Sequence, residues 1–445
     1  MNRLAGALCV ATLAAACGGS AGSDADAGAP AGDALVTPDA ALGLSAAEVF
    51  DETVIRSYNL TIAMADWQWL NDNAQLEQYV PADLEVDGQT YADIGVRYKG
   101  SYGTLFSCFD ANGNRTCPKL SIKLKLNEYV SGQKLAGLKK INFHSMKSDP
   151  TQLHEAIGYT LYRDFGVYAP RSAYAKITVN GESLGLFSIV EAIDGRFTRD
   201  RFSDGGGGNL YKEVWPVYDT EQPYLAGLKT NEDSPNPSAA RMVRFANDLA
   251  ASTPQTFRQV LSQWMDVDAL MRQLAVDRFI DHWDGIVAWY CQSGTCFNHN
   301  YYFYEEVGRD RVWLIPWDLD NTFTEPSPIR TYYGMPDWDE LERGCAQVDI
   351  FWGLKGLPPY CDNFIGKLVT VMWDDYVAAT RTFLTQHVDL PTLEQRIDTL
   401  AALIRPEVAV DANGPALADW EAAVQKLKSD IAAKRTYIET KIGGL

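Results

Sequence analysis

The sequence predicts an α+β protein of two lobes, a strand-rich N-terminal lobe followed by a mainly helical C-terminal one. Three observations carry this. Lys119 to Leu126 alternates with period two, and Asn180-Gly181 joins two apolar runs, both strand signals in the first part of the chain. After about Gly195 the apolar spacing turns helical and stays so almost to Leu445. From Thr53 onward no second linker, internal repeat or long charge run divides a chain of 445 residues that is 46% hydrophobic and 11% aromatic, enough to bury a large core.

In chain order, residues 1–16 read as an export signal: Arg3 gives a positive start, Leu4 to Ala16 is short and apolar, and small residues precede Cys17, Gly18 and Gly19. That junction is similar to a bacterial lipobox, so Cys17 is expected to carry lipid that ties the protein to a membrane; secretion without lipid is the alternative. Residues 17–50, rich in Ala, Gly, Asp, Ser and Pro, form the expected tether. The N-lobe is expected over 51–195 and the C-lobe over 196–445.

Within the N-lobe, Ala92 to Lys99 is β-prone and ends in Gly100, Ser101 and Gly103. The next strand sets Leu120, Ile122, Leu124 and Leu126 on one face against Lys119, Ser121, Lys123 and Lys125 on the other. Asp149-Pro150 is expected to open a helix as N-cap and first-turn proline, with Leu153, Ile157, Leu161 and Phe165 as its apolar stripe. Ala175–Val179 and Gly185–Val190 flank the Asn-Gly turn. The C-lobe reads as helices at Met242–Ala251, Phe257–Trp264 and Val267–Asp281, a hairpin of Tyr301–Tyr304 against Val312–Ile315, and a tail of two or three helices from Leu393 to Ile442.

A net charge of −19, from 39 Lys+Arg against 58 Asp+Glu, excludes a general nucleic-acid binder, because phosphate contacts need clustered cations. No apolar run is long enough for a membrane-spanning helix. Beyond Cys9 and Cys17, six cysteines remain in three sequence-local pairs, Cys108/Cys117, Cys291/Cys296 and Cys345/Cys361. An even count in an exported chain favours disulfides, and local pairing is the simplest connectivity.

The densest polar cluster runs from Asp277 to Asp320 and includes Asp281, Asp284, Asn298, His299, Asn300, Asp318, Asp320 and Asn321. Asp284 ends a helical stretch in W-D-G, while Asp318 and Asp320 follow the apolar strand Val312–Ile315 in P-W-D-L-D. Carboxylates at a strand end, with another carboxylate and an amide on a nearby loop, suit a hard divalent cation. Asp and Asn also favour caps and turns, which is the competing explanation for each residue singly. His282 and His299 are too scattered for a zinc site, and Gly205–Gly208 lacks the Lys-Ser/Thr of a phosphate-binding loop.

An ordered series of segments gives these residues a context. I-G-V-R-Y-K-G-S at 94–101, P-K-L-S-I-K-L-K at 118–125 and L-H-E-A-I-G-Y-T-L-Y-R-D-F-G at 153–166 come first. N-G-E-S-L-G-L-F-S-I-V-E at 180–191, G-N-L-Y-K at 208–212, D-G at 284–285, H-N-Y-Y-F-Y at 299–304 and I-P-W-D-L-D at 315–320 follow. In this order they resemble the spore-coat protein H (CotH) kinase family, an atypical protein-kinase-like branch. The resemblance implies a two-lobed kinase-like fold and an ATP-dependent protein kinase, with ATP and Mg²⁺ (or Mn²⁺) as ligands. Its expected setting is exported or on the surface, and its expected substrate is Ser or Thr of envelope or coat proteins.

By the same resemblance, Asp284 matches the catalytic aspartate, and Asn300 and Asp318 match the metal ligands, with Asp320 beside them. Lys123 or Lys125 would contact the α/β-phosphates, Glu155 would partner that lysine, and Glu191 would lie near the adenine hinge. Backbone N–H groups at Gly100, Ser101 and Gly103 would approach phosphate. The family's asparagine follows its aspartate closely, whereas here an interval holding Cys291 and Cys296 separates Asp284 from Asn300. A disulfide hairpin is expected to loop that interval outward. A kinase-like scaffold without catalysis and a metal-dependent hydrolase using Asp284 and Asp318 remain alternative readings.

Overall fold

The computed structural model describes residues 44–100, 105–323, 336–350 and 353–445. The expected signal, Cys17 and most of the tether, with Ser101 and Gly103, lie outside the described residues. A one-turn helix α1 (Ala46–Val49), closed by a Ser45–Glu48 capping box, leads into the first strand.

Seven strands make a closed barrel: β1 (Ile55–Thr61), β2 (Val80–Val86), β3 (Gln89–Tyr98), β4 (Ile122–Lys125), β5 (Lys140–His144), β6 (Ser172–Val179) and β7 (Glu182–Val190), in the order β1-β2-β3-β4-β5-β7-β6. Helix α2 (Met64–Asp72) lies between β1 and β2. Six pairings are antiparallel, and β6 closes the ring by running parallel to β1, Tyr58 facing Ile177. Asn180 and Gly181 take φ of 52° and 85° at the β6–β7 turn, the left-handed pair that a two-residue hairpin demands. Strand alternation sends Ile122, Leu124, Ile141 and Phe143 inward to one core with Ile94, Val96, Phe187 and Ile189. It therefore sends Lys123, Lys125, Asn142 and His144 to the outer face.

The strand expected over 119–126 is regular only at Ile122–Lys125, and its polar face is largely covered. Lys119 is buried, with Nζ 2.9 Å from Asp411 Oδ2. Helix α3 (His154–Asp164) starts later than expected. The Asp149 carboxylate accepts from the N–H groups of Thr151 and His154 at 2.8 and 2.7 Å, so residues 150–153 form a turn and Pro150 precedes the helix.

The remaining chain is mainly helical, so the molecule is α+β as the sequence predicts. Helices α4 (Gly195–Arg201), α5 (Gln222–Ala226), α6 (Ala240–Ala251), α7 (Phe257–Trp264) and α8 (Val267–Phe279) come first; α9 (Asn363–Val371), α10 (Trp373–Gln386), α11 (Leu390–Val408) and α12 (Leu417–Lys441) complete the described chain. Helix α8 stops short of the expected Asp281, whose φ of 60° breaks the helical path. Strands β8 (Leu210–Lys212), β11 (Tyr301–Glu306) and β12 (Arg311–Pro316) form one sheet, with Tyr302 opposite Ile315 in the expected hairpin. Strands β9 (Trp289–Gln292), β10 (Thr295–Phe297), β13 (Val348–Asp349) and β14 (Lys355–Leu357) form another. A second core runs from Met146 to Ile442 and takes in α3 through Ile157, Tyr159 and Leu161. Helix α3 thus packs between β6 and α8 and joins the barrel to the helical part. The disulfides are Cys108–Cys117, Cys291–Cys296 and Cys345–Cys361.

Candidate functional site

The loop after α8 is held by a buried polar group. Arg278 pairs with Asp277 at 2.6 Å and donates to the His282 carbonyl at 3.1 Å. The two ring nitrogens of His282 lie 3.4 Å from Asp277 Oδ2 and 3.2 Å from the Asp318 carbonyl. A Cβ at Gly285 would stand 2.6 Å from the His282 ring, so this close approach requires glycine. The loop presents a half-buried Asp284 whose Oδ1 accepts from the Tyr290 hydroxyl at 2.6 Å. Its Oδ2 accepts from the Asn300 amide at 3.0 Å and from Asn321 at 3.3 Å.

Although Asn300 stands 16 residues beyond Asp284, the interval folds back on itself. Cys291 and Cys296 face each other across the β9–β10 ladder, and Asn298 ties the returning strand to the Ile286 carbonyl at 2.8 Å. With its amide nitrogen on Asp284, Asn300 keeps its carbonyl oxygen for another partner. Burial pushes the Asp284 carboxyl above its ordinary range; His299, the Tyr290 bond and His282 oppose this, and Asp318 adds to it.

Asp318 sits just past β12 with φ of 56°, a left-handed conformation that Asp tolerates better than most residues. Its N–H donates to the Tyr159 hydroxyl at 3.0 Å, while its side chain is 40% exposed. Asp320 is held by its backbone, the carbonyl lying 3.1 Å from His154 Nδ1. Burial, and then the carboxylates of Asp318, Glu155, Asp284 and Asp149, push the Asp320 carboxyl well above its ordinary range.

From the barrel side, His144 on β5 places Nδ1 2.7 Å from Glu155 Oε1 and Nε2 2.7 Å from Lys99 Nζ. Nδ1 is also 3.8 Å from Asp318 Oδ1, and single ligand atoms of His144, Glu155 and Asp318 all fall within 4.8 Å of one another. The Lys99 ammonium lies 5.5 Å from the centre of the Trp317 ring. Burial pushes its pKa below the ordinary lysine value, against the pull of Asp318 and Glu155. On β8, Lys212 is 3.6 Å from Glu213, which raises its pKa and which also accepts the Asn300 N–H at 3.2 Å.

The structure therefore brings Asp284, Asn300, Asp318, Asp320 and Glu155 to one place. Lys125 is engaged elsewhere, 2.8 Å from Glu128 and beside the Tyr79 ring, and Lys123 stands on the outer face of β4 opposite Asn142. The lysine that reaches the Glu155 group is Lys99. Glu191 does follow β7, but its carboxylate is taken up by Arg171 at 2.6 Å and by Arg201. With only 2% of that side chain exposed, it ties β7 to α4 and leaves no oxygen for an adenine. Lys99, His144 and Tyr290 escape sequence reasoning. The one available signal was that Lys99 ends a β-prone stretch beside Gly100.

The donor set fits a hard divalent cation such as Mg²⁺ or Mn²⁺: it is all oxygen at Asp318, Asp320 and the Asn300 amide. Two features favour a cation there, the raised Asp320 carboxyl among four other carboxylates and the buried Glu155 Oε2, which has no hydrogen-bond partner among the described residues.

A family model described as CotH kinase protein matches residues 96–438. Inner spore coat protein H of Bacillus subtilis is 21% identical over 276 residues, which is 60% of this chain and 68% of that protein. Invasin CotH7 of Rhizopus delemar is 25% identical over 201 residues, 43% of this chain and 32% of the invasin, so the match spans about a third of that relative. A crystal structure of a Helicobacter pylori proinflammatory kinase, CtkA, aligns at 10% identity over 72% of this chain and 92% of that one. The TM-score of that alignment is 0.29.

Proposed function

The chain belongs to the CotH kinase family, and from that premise we propose that it is a phosphotransferase that moves the γ-phosphate of ATP to a Ser or Thr hydroxyl of an exported envelope or coat protein. The observation that supports the reading is the 3.0 Å contact of Asn300 with Asp284 across the disulfide hairpin, which sets the proposed base beside a proposed metal ligand. Asp284 orients the acceptor hydroxyl and takes its proton as the oxygen attacks the γ-phosphorus; the bond to the β-phosphate oxygen breaks and ADP leaves. A carboxyl raised by burial suits a base that must hold a proton briefly. Asn300 and Asp318, with Asp320 beside them, would hold Mg²⁺ or Mn²⁺, which when bound neutralises charge on the phosphates. Lys99 and Lys212 would bring cationic side chains beside Asp318, the Lys212 charge favoured by Glu213 and the Lys99 charge opposed by burial.

The three disulfides fit an oxidising compartment. Lipid on Cys17 belongs to the same proposal, and mass spectrometry of the mature N-terminus tests it. The function is tested by ATP consumption by the purified mature protein with Mg²⁺ or Mn²⁺ and an envelope protein extract. Turnover with label on Ser or Thr supports the kinase reading. A nucleotide-dependent thermal shift without turnover supports a kinase-like scaffold instead, and phosphoester turnover without nucleotide supports a hydrolase.

A further inference from the structure

The two nitrogens of the His144 ring are both committed. Nε2 is 2.7 Å from Lys99 Nζ, and Nδ1 is 2.7 Å from Glu155 Oε1. A lysine ammonium has only donors, so Nε2 must accept and carries no proton; the ring proton then sits on Nδ1 and is donated to Glu155. Both ends of the imidazole are thereby fixed, and the residue is only 4% exposed. Trp317 holds the ring edge-on, 5.6 Å between centroids, and its own face lies 5.5 Å from the ammonium.

We propose that His144 is a positioning residue, a neutral bridge through which Glu155 on α3 holds the ammonium of Lys99, the residue just after β3, toward the phosphates of a bound nucleotide. This rests on the nucleotide reading above. A carboxylate bonded directly to the ammonium would neutralise much of its charge. An uncharged imidazole between them fixes the position of the ammonium and leaves more of its charge, and its remaining N–H donors, for an anion.

A double-substitution cycle on nucleotide binding tests the bridge. ATP affinity with Mg²⁺ is measured by calorimetry on the mature protein, Lys99→Met, His144→Leu and the pair. Each single change should weaken binding by about tenfold, the range of one charge-assisted bond. The pair should be no weaker than Lys99→Met alone, because His144 acts through Lys99. His144→Gln, which retains a donor and an acceptor, should recover part of the loss. Additive losses would overturn the bridge while leaving nucleotide binding intact. A wild-type protein that binds no nucleotide would overturn the kinase reading and the bridge with it. A second readout does not depend on the folding of His144→Leu. With 5 histidines in the chain, ¹⁵N imidazole spectra can be assigned. His144 should show a protonated Nδ1 and a bare Nε2 in the wild type, with the Nε2 signal moving in Lys99→Met. A protonated Nε2 would exclude the bridge.

Discussion

Tyr290 donates its hydroxyl hydrogen to Asp284 Oδ1 at 2.6 Å, and it does so from the residue adjoining the Cys291–Cys296 disulfide. The interval that separates Asp284 from Asn300 therefore supplies a partner to the carboxylate it flanks. Tyr290→Phe keeps the ring and removes only this donor. A hydrogen bond to a charged group is worth about 1.5–3 kcal/mol, so turnover should fall about tenfold or more. Melting temperature should change by only a few degrees. Steady-state kinetics beside a melting curve checks this, and unchanged turnover would make the contact incidental.

Replacing Cys291 and Cys296 by Ser should weaken activity more than stability. Closing so short a loop contributes about 2 kcal/mol in the chain-entropy model, and β9 retains its ladder with β14. The same hairpin, however, sets the return to Asn300 and the place of Tyr290. Activity and denaturation measured together on the double Ser variant decide the matter: equal loss of both, or no loss of activity, removes this role.

Asp318→Asn and Asp320→Asn should separate in opposite senses. Asn tolerates the positive φ at Asp318, so the fold should be kept while an anionic cation ligand is lost. Turnover should drop by about 10³-fold or more, several kcal/mol of barrier. Asp320 carries a half-buried carboxyl crowded by other acids, so its amide should raise the melting temperature without metal and reduce turnover less. Full activity in Asp318→Asn would end the kinase reading for this site.

Glu305 makes stability depend on pH near neutrality. It is buried on β11, where burial pushes its carboxyl up to about 7 against the opposing Tyr211 bond at 3.1 Å. An unfolded chain would hold the same group near the ordinary glutamate value. The folded state therefore binds the extra proton between about pH 4.5 and 7, and stability falls as pH rises through that window. The loss from this group is on the order of 3 kcal/mol by pH 8. Glu305→Gln keeps an acceptor for Tyr211 and should flatten the melting-temperature profile between pH 5 and 8. A profile parallel to the wild type would exclude this assignment.

Features written in adjacent residues were legible in the sequence. Asn180-Gly181 marks its hairpin because only a left-handed pair makes that turn, and Ile122 and Leu124 mark an inner face because strand alternation is strict. The three cysteine pairs close short loops, so nearness in sequence brings them together. Asp284, Asn300 and Asp318 were legible for a related reason: each lies on a loop beside a helix or strand that the local pattern defines.

The partners of these groups were decided elsewhere. Lys125 and Lys99 both end β-prone stretches, and nothing local says which is free for the site. Glu128, three residues on, claims Lys125 at 2.8 Å, while the β3-β4-β5 register carries Lys99 to His144, 45 positions away in the chain. Glu191 was placed correctly after its strand but is held by Arg171 and Arg201, 20 and 10 residues distant, which no hydrophobic pattern records. Helix α3 joins the second core only because β6 and α8 close over it. By itself, then, the sequence determined the Asn-Gly hairpin, the alternating faces of β4, several C-terminal helices and the three disulfides, since backbone propensity and short-loop closure act over a few residues. The tertiary structure alone decided which cation and which imidazole meet Glu155, because a charge finds its partner through strand register and helix packing across the whole fold.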